Sequence, residues 1–216
     1  MQGYVKISPP DIGVDMLDDA ESGEHTSKRT NKNHELSPAP VGNLNRAIIK
    51  EMELQCDLAL KGFEELERSL KEHDEEKIWY SIHSFFSAAA RISELLKLGE
   101  KTMEKHGYSD DLKELISVPN VSYLSHSKLE STFSSFGEDL KKWAIKPERT
   151  HIGERNVIAK GCVSGMEEEN MLRHFDPESY EFTVRGKTYE LKRYHEIILE
   201  VKDVIENLAR RSFWEI

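Results

Sequence analysis

Apolar side chains recur at alternating steps of three and four through two adjacent stretches of this chain. The first carries Ile49, Met52, Cys56, Ala59, Phe63, Leu66 and Leu70, and the second Ile78, Ile82, Phe85, Ala89, Ile92 and Leu96. That spacing lines up one face of an α-helix and is incompatible with the two-residue alternation of a strand. It predicts a helix over 44–72, capped by Asn43, and a second over 75–98, ended by Gly99. His73-Asp74-Glu75-Glu76 breaks the pattern between them. Trp79, Phe86, Ala90 and Leu95 widen the second stripe, which predicts the most buried helix. Ser81, Ser84, Ser87 and Ala88 put small side chains on a neighbouring face, where a further helix can approach closely.

Beyond residue 99 the pattern loosens and recovers. Ser109-Asp110-Asp111 reads as a cap with acidic residues suited to a helix N-terminus, ahead of a short helix over 112–117. Leu129, Phe133, Phe136, Leu140 and Trp143 predict a helix over 125–144. Pro147, Gly153, Gly161 and Gly165 mark 146–170 as a long loop. Tyr180, Phe182 and Val184 alternate, Arg185-Gly186 makes a turn, and Tyr189 and Leu191 alternate again, which predicts a hairpin over 180–191. Tyr194, Ile197, Val201, Val204 and Leu208 predict a last helix over 192–210. The fold class expected is all-α: a four-to-five-helix bundle with a small C-terminal β-hairpin, occupying 44–216. Residues 1–43, with Pro9, Pro10, Pro38 and Pro40 and few large apolar side chains, read as a disordered or interaction tail.

Charge and composition narrow the function classes. Forty acidic residues against thirty basic ones leave a formal charge of −10 over 216 residues, which opposes non-specific binding to a phosphate backbone. Two cysteines, Cys56 and Cys162, exclude a disulfide framework and a four-thiolate zinc site. No apolar run is long enough to span a bilayer, and the first residues lack a basic segment followed by an apolar one. The expectation is a cytoplasmic protein without a membrane contact.

Motifs with chemistry are sparse. No phosphate-binding glycine loop of the GxxxxGK[ST] or GxGxxG kind is present, and no HExxH. Ser164 directly precedes Gly165, so Gly161–Gly165 lacks the symmetric spacing of a serine nucleophile elbow. His174 and Asp176, two apart before Pro177, are read as a loop turn in preference to a ligand pair. The Glu-x-x-His pairs of di-iron bundles are missing. No metal and no cofactor is expected. His83, at the edge of the second stripe, is read as a partly buried histidine, and Arg91 as one half of a helix–helix ion pair. Basic residues meet aromatics in Lys192-Arg193-Tyr194-His195 and in Arg210-Arg211-Ser212-Phe213-Trp214. Phe213 and Trp214 are the candidates for an interaction patch.

The run Ile78–Leu96, the run Leu129–Trp143, and Arg173-His174-Phe175-Asp176 with the hairpin after it resemble a group of uncharacterised bacterial helical proteins related to the HEPN superfamily. The resemblance covers about residues 45 to 210. It implies a helical bundle, a homodimer, and a place in bacterial defence or toxin–antitoxin systems. Active HEPN proteins are metal-independent ribonucleases that use an Arg and a nearby His, in a pattern like R-N-x-x-x-H. The His acts as general base on a ribose 2′-hydroxyl, and the Arg stabilises the phosphorane charge. On this matching the Arg position falls on Glu130 and the His position on Ser135, neither of which supplies that chemistry. The implied motif is degenerate here.

The bare spacing also occurs at Arg68 and His73, which are the weak catalytic candidates. The reading is therefore a non-catalytic, HEPN-like module that works through protein–protein contacts, as a homodimer or with a protein partner. Two alternatives stay open. One is an active metal-independent ribonuclease with RNA as its partner. The other is a bundle that binds a small ligand beside Ser84 and Ser87.

Overall fold

A computed structural model describes residues 38–106, 114–115, 117–125, 129–134, 136–146, 152–162 and 167–211. Among them are helices α1 (Pro38–Glu72), α2 (Glu75–His106), α3 (Val121–Ser125), α4 (Leu129–Ser134), α5 (Phe136–Ala144) and α6 (Leu191–Arg211). Strands β1 (Asn156–Val157), β2 (Arg173–Asp176), β3 (Glu181–Val184) and β4 (Lys187–Glu190) complete the element order.

Both apolar stripes are buried as the spacing demands. Met52, Cys56, Ala59, Leu66, Phe85, Ala89 and Ile92 are fully inaccessible to solvent. α1 begins at Pro38 rather than Leu44, so Asn43 lies inside the helix and does not cap it. Proline is tolerated in a first turn because the amide it lacks has no partner there. Gly99 does not end α2, which runs on to His106. Gly99 is buried, and the Glu100–Lys101 pair after it favours continued helix.

α1 and α2 are joined by a tight reversal written into local residues. His73 adopts φ 55°, and the His73 and Asp74 amides donate to the Leu70 and Ser69 carbonyls at 3.3 and 3.1 Å. This pair of bonds is the Schellman ending of a helix. Asp74 then caps α2, accepting the Lys77 amide on Oδ1 at 3.1 Å. Those backbone and side-chain bonds to Lys77 hold the Asp74 carboxyl below the usual carboxylate range. The helices approach closely at Gly62, where a Cβ would stand 3.0 Å from the Phe85 backbone nitrogen.

The all-α expectation is corrected by a four-stranded mixed sheet in the order β1-β2-β3-β4. β3 and β4 are the predicted hairpin, pairing Phe182 with Tyr189 and Val184 with Lys187. Arg185 and Gly186, at φ 51° and 73°, form its two-residue turn. β2 pairs antiparallel with β3, and β1 adds in parallel through Asn156 and Val157. The predicted loop over 146–170 thus contributes a strand, and Glu168–Asn170 form a 3₁₀ turn. Where a helix is expected over 125–144, the described residues form α4 and α5, with α3 ahead of them.

Phe86 joins the two layers. Its ring lies 5.2 Å from that of Phe182 on β3, 5.7 Å from Tyr189 on β4 and 5.7 Å from Tyr194 on α6. Burial of an aromatic ring of this size stabilises by roughly 2–3 kcal/mol. α6 crosses back over α1, where Phe63 stacks on His195 at 3.8 Å and Lys202 pairs with Asp57. No helix among the described residues is long and apolar enough to cross a membrane.

Candidate functional site

The residues singled out by sequence separate in the structure. Arg68 is exposed and donates to Glu65 on its own helix at 2.7 Å. His73 holds the left-handed position that stops α1, and lines a depression of about 530 Å³ with Glu67, Tyr180 and Pro177. Arg68 is not part of that lining. Glu130 lies in α4, while Ser135, Phe213 and Trp214 fall outside the described residues. Arg91 pairs within its own helix, with Glu94 at 2.8 Å, and no cross-helix partner stands among the described residues.

His174 and Asp176 stand in strand β2 and are buried, not in a loop turn. The Asp176 carboxylate accepts the amides of Glu178, Lys160 and Ser179 at 2.8, 3.1 and 3.2 Å. Burial alone would raise its pKa; those amides outweigh it and hold the group below the usual carboxylate range. Asp176 therefore shapes the β2–β3 turn. The basic-aromatic run on α6 is likewise used internally. Lys192 sits over the Tyr180 ring and Arg193 over Tyr123, each at 4.0 Å, and Tyr194 is buried. Cys56 is buried, which pushes its thiol up to about 12, and Cys162 is exposed.

Two further concave surfaces stand out among the described residues. The larger, about 690 Å³, is a groove between α1 and α2, floored by Gly62, Ser81, Ser84, Ser87 and Ala88. No further helix among the described residues fills it. Leu58 and Tyr80 on its walls are 49% and 70% exposed. Lys61, Lys77 and Arg91 stand on the rim with Glu65, and each is paired with a carboxylate close in sequence: Lys61 with Glu64, Lys77 with Glu72 and Asp74, and Arg91 with Glu94. The Ser81 hydroxyl on the groove floor is buried and has no hydrogen-bond partner among the described residues.

The second surface lies between α2, α4 and the sheet. Two adjoining hollows of about 270 and 280 Å³ share His83, Arg173 and Phe182. Trp79, Tyr80 and Arg155 wall the first, and Thr132, Phe133 and Val184 the second. Glu75 braces the rim: its Oε1 accepts the Trp79 indole N–H at 3.3 Å and pairs with Arg155 at 3.2 Å. The His83 ring packs 5.6 Å from that of Phe133. Partial burial first, and the Arg173 charge second, hold His83 below the usual histidine range, so its imidazole is neutral near pH 7. Sequence reading had His83 as a packing residue. Nothing local could link it to Arg173, which arrives on a strand of its own.

Among the described residues, no three His, Cys, Asp or Glu side chains are grouped to hold a metal ion. No protein-family model, curated protein or solved structure matches the chain.

Proposed function

We propose that this chain is a non-catalytic, HEPN-like helical module of the cytoplasm that works through protein–protein contacts, in the first place with a second copy of itself. The observation that supports it is the α1–α2 groove. Two exposed apolar side chains, Leu58 and Tyr80, flank a floor of small residues at which another helix can seat closely. The rim cations are each met by a nearby carboxylate, so the exposed apolar side chains and the small-residue floor carry the contact. Arg68 and His73 lend the ribonuclease alternative little, since one is tied to Glu65 and the other ends a helix.

Sedimentation equilibrium of the full chain tests the reading. A dimer at micromolar concentration that Leu58→Glu converts to a folded monomer is the expected result. A monomer at every concentration sinks the self-association. Metal-free cleavage of labelled RNA that His73→Ala abolishes would replace the non-catalytic reading with the ribonuclease.

A further inference from the structure

The charged side chains that ring the α1–α2 groove are all engaged with one another's neighbours. Lys61 meets Glu64 at 3.1 Å, Lys77 meets Glu72 and Asp74 at 3.0 and 3.2 Å, and Arg91 meets Glu94 at 2.8 Å. Glu65, the carboxylate of the lining, is paired with Arg68 at 2.7 Å. An ion drawn onto this floor would give up water and gain no opposite charge in return, which costs free energy. The groove therefore favours an uncharged guest.

What it offers such a guest is apolar surface and one unmet hydroxyl. Leu58 and Tyr80 are exposed on the walls, and the methylene stems of Lys61 and Lys77 extend them. On the floor Ser81 is fully buried, and its Oγ has no hydrogen-bond partner. A buried hydroxyl without a partner destabilises a fold, and alanine would fill the same space without that cost. The hydroxyl has no use inside the fold, and turning about χ1 presents it to a molecule seated on the floor. The lining runs from Gln55 to Glu65 on α1 and from Lys77 to Arg91 on α2, about 15 and 21 Å of helix axis. The space of about 690 Å³ is that of a small-molecule site, roughly 300–1,000 Å³.

We propose that the groove binds an uncharged, elongated small molecule, apolar along its length, whose hydroxyl or carbonyl oxygen is the hydrogen-bond partner of Ser81. Its chain lies between Leu58 and Tyr80, over Ser84 and Ser87. The inference does not rest on self-association, but both concern one face. Guest and second copy exclude each other there, so the guest shifts a dimer toward monomer.

Calorimetric titration of the full chain with octanol, methyl hexyl ketone, octanoate and octylamine tests it, with sedimentation equilibrium in the presence of each. The better of the two uncharged probes is expected to bind at least about tenfold tighter than either ion. Ser81→Ala is expected to weaken that probe by about fivefold while leaving the unfolding temperature unchanged or higher, a split that a merely structural serine would not give. Ser84→Phe, which fills the groove, is expected to abolish binding; should it not fold, Ser87→Leu takes its place. The proposal fails if neither uncharged probe saturates by about 1 mM, if the ions bind as tightly, or if folded Ser81→Ala or Ser84→Phe binds as the parent does. A dimer that the probes neither enter nor dissociate overturns it and leaves self-association standing. Binding by a chain that is monomeric at every concentration does the reverse.

Discussion

The Arg185 guanidinium donates through Nη2 to the main-chain oxygen of Thr132, 2.7 Å away and 53 residues earlier in the chain. The Thr132 hydroxyl in turn lies 2.7 Å from that of Tyr189. The hairpin turn is thus stitched to α4, and Asp139 at 4.0 Å balances the charge. Arg185→Met removes a charged donor from a buried carbonyl and is expected to cost about 2–3 kcal/mol. Tyr189→Phe, which strands only a hydroxyl, should cost about 1 kcal/mol. Urea unfolding of both variants checks the order.

Two glycines are held by what surrounds them. A Cβ on Gly186 would come within 3.1 Å of the Glu169 Cα, at a backbone φ of +73°. Gly186→Ala is therefore expected to destabilise by more than about 1 kcal/mol. Gly62→Ala pushes α1 off the Phe85 backbone, and overpacking of this kind costs about 1–3 kcal/mol. Thermal midpoints measure both.

His73 is in the position where a helix end favours glycine. His73→Gly should raise the unfolding free energy, by up to about 1 kcal/mol, because it removes left-handed strain. A substantial loss of stability would contradict the helix-stop role.

His195 stacks on Phe63, and burial holds its pKa below 6.5 despite the opposing pull of Glu67 and Glu196. The unfolded chain then binds a proton that the native chain refuses. Stability is complete above the unfolded value of about 6.5 and declines as pH falls from there toward the native value. His195→Phe is expected to flatten this part of the stability–pH curve, measured by denaturation between about pH 7.5 and 5.

The two thiols differ in the same physical terms. Cys162 is exposed, whereas Cys56 is buried with its pKa pushed up to about 12. Only a thiolate reacts with iodoacetamide. At pH 8 mass spectrometry should find one label, on Cys162, and a second on Cys56 only after unfolding.

Much of the helical framework was legible because its information is local and periodic. The stripes from Ile49 to Leu70 and from Ile78 to Leu96 bury as spaced, and Arg185-Gly186 makes the two-residue turn its residue types call for. Helix ends were less so: neither Asn43 nor Gly99 bounds its helix. β1 and β2 were not legible at all. Asn156 and Val157 carry no alternation, and in Arg-His-Phe-Asp only Phe175 favours a strand, so both depend on partners found through folding.

By itself the sequence determined the helical periodicity, the reversal at His73-Asp74 and the hairpin at Arg185-Gly186, because each rests on contacts between residues a few positions apart. The tertiary structure alone decided the mixed sheet and the open groove beside Ser84. It also brought His83 to Arg173. That last pairing joins side chains on α2 and β2, and no periodic pattern encodes it: the two meet only because Phe86 and its aromatic neighbours pack the sheet against the helix.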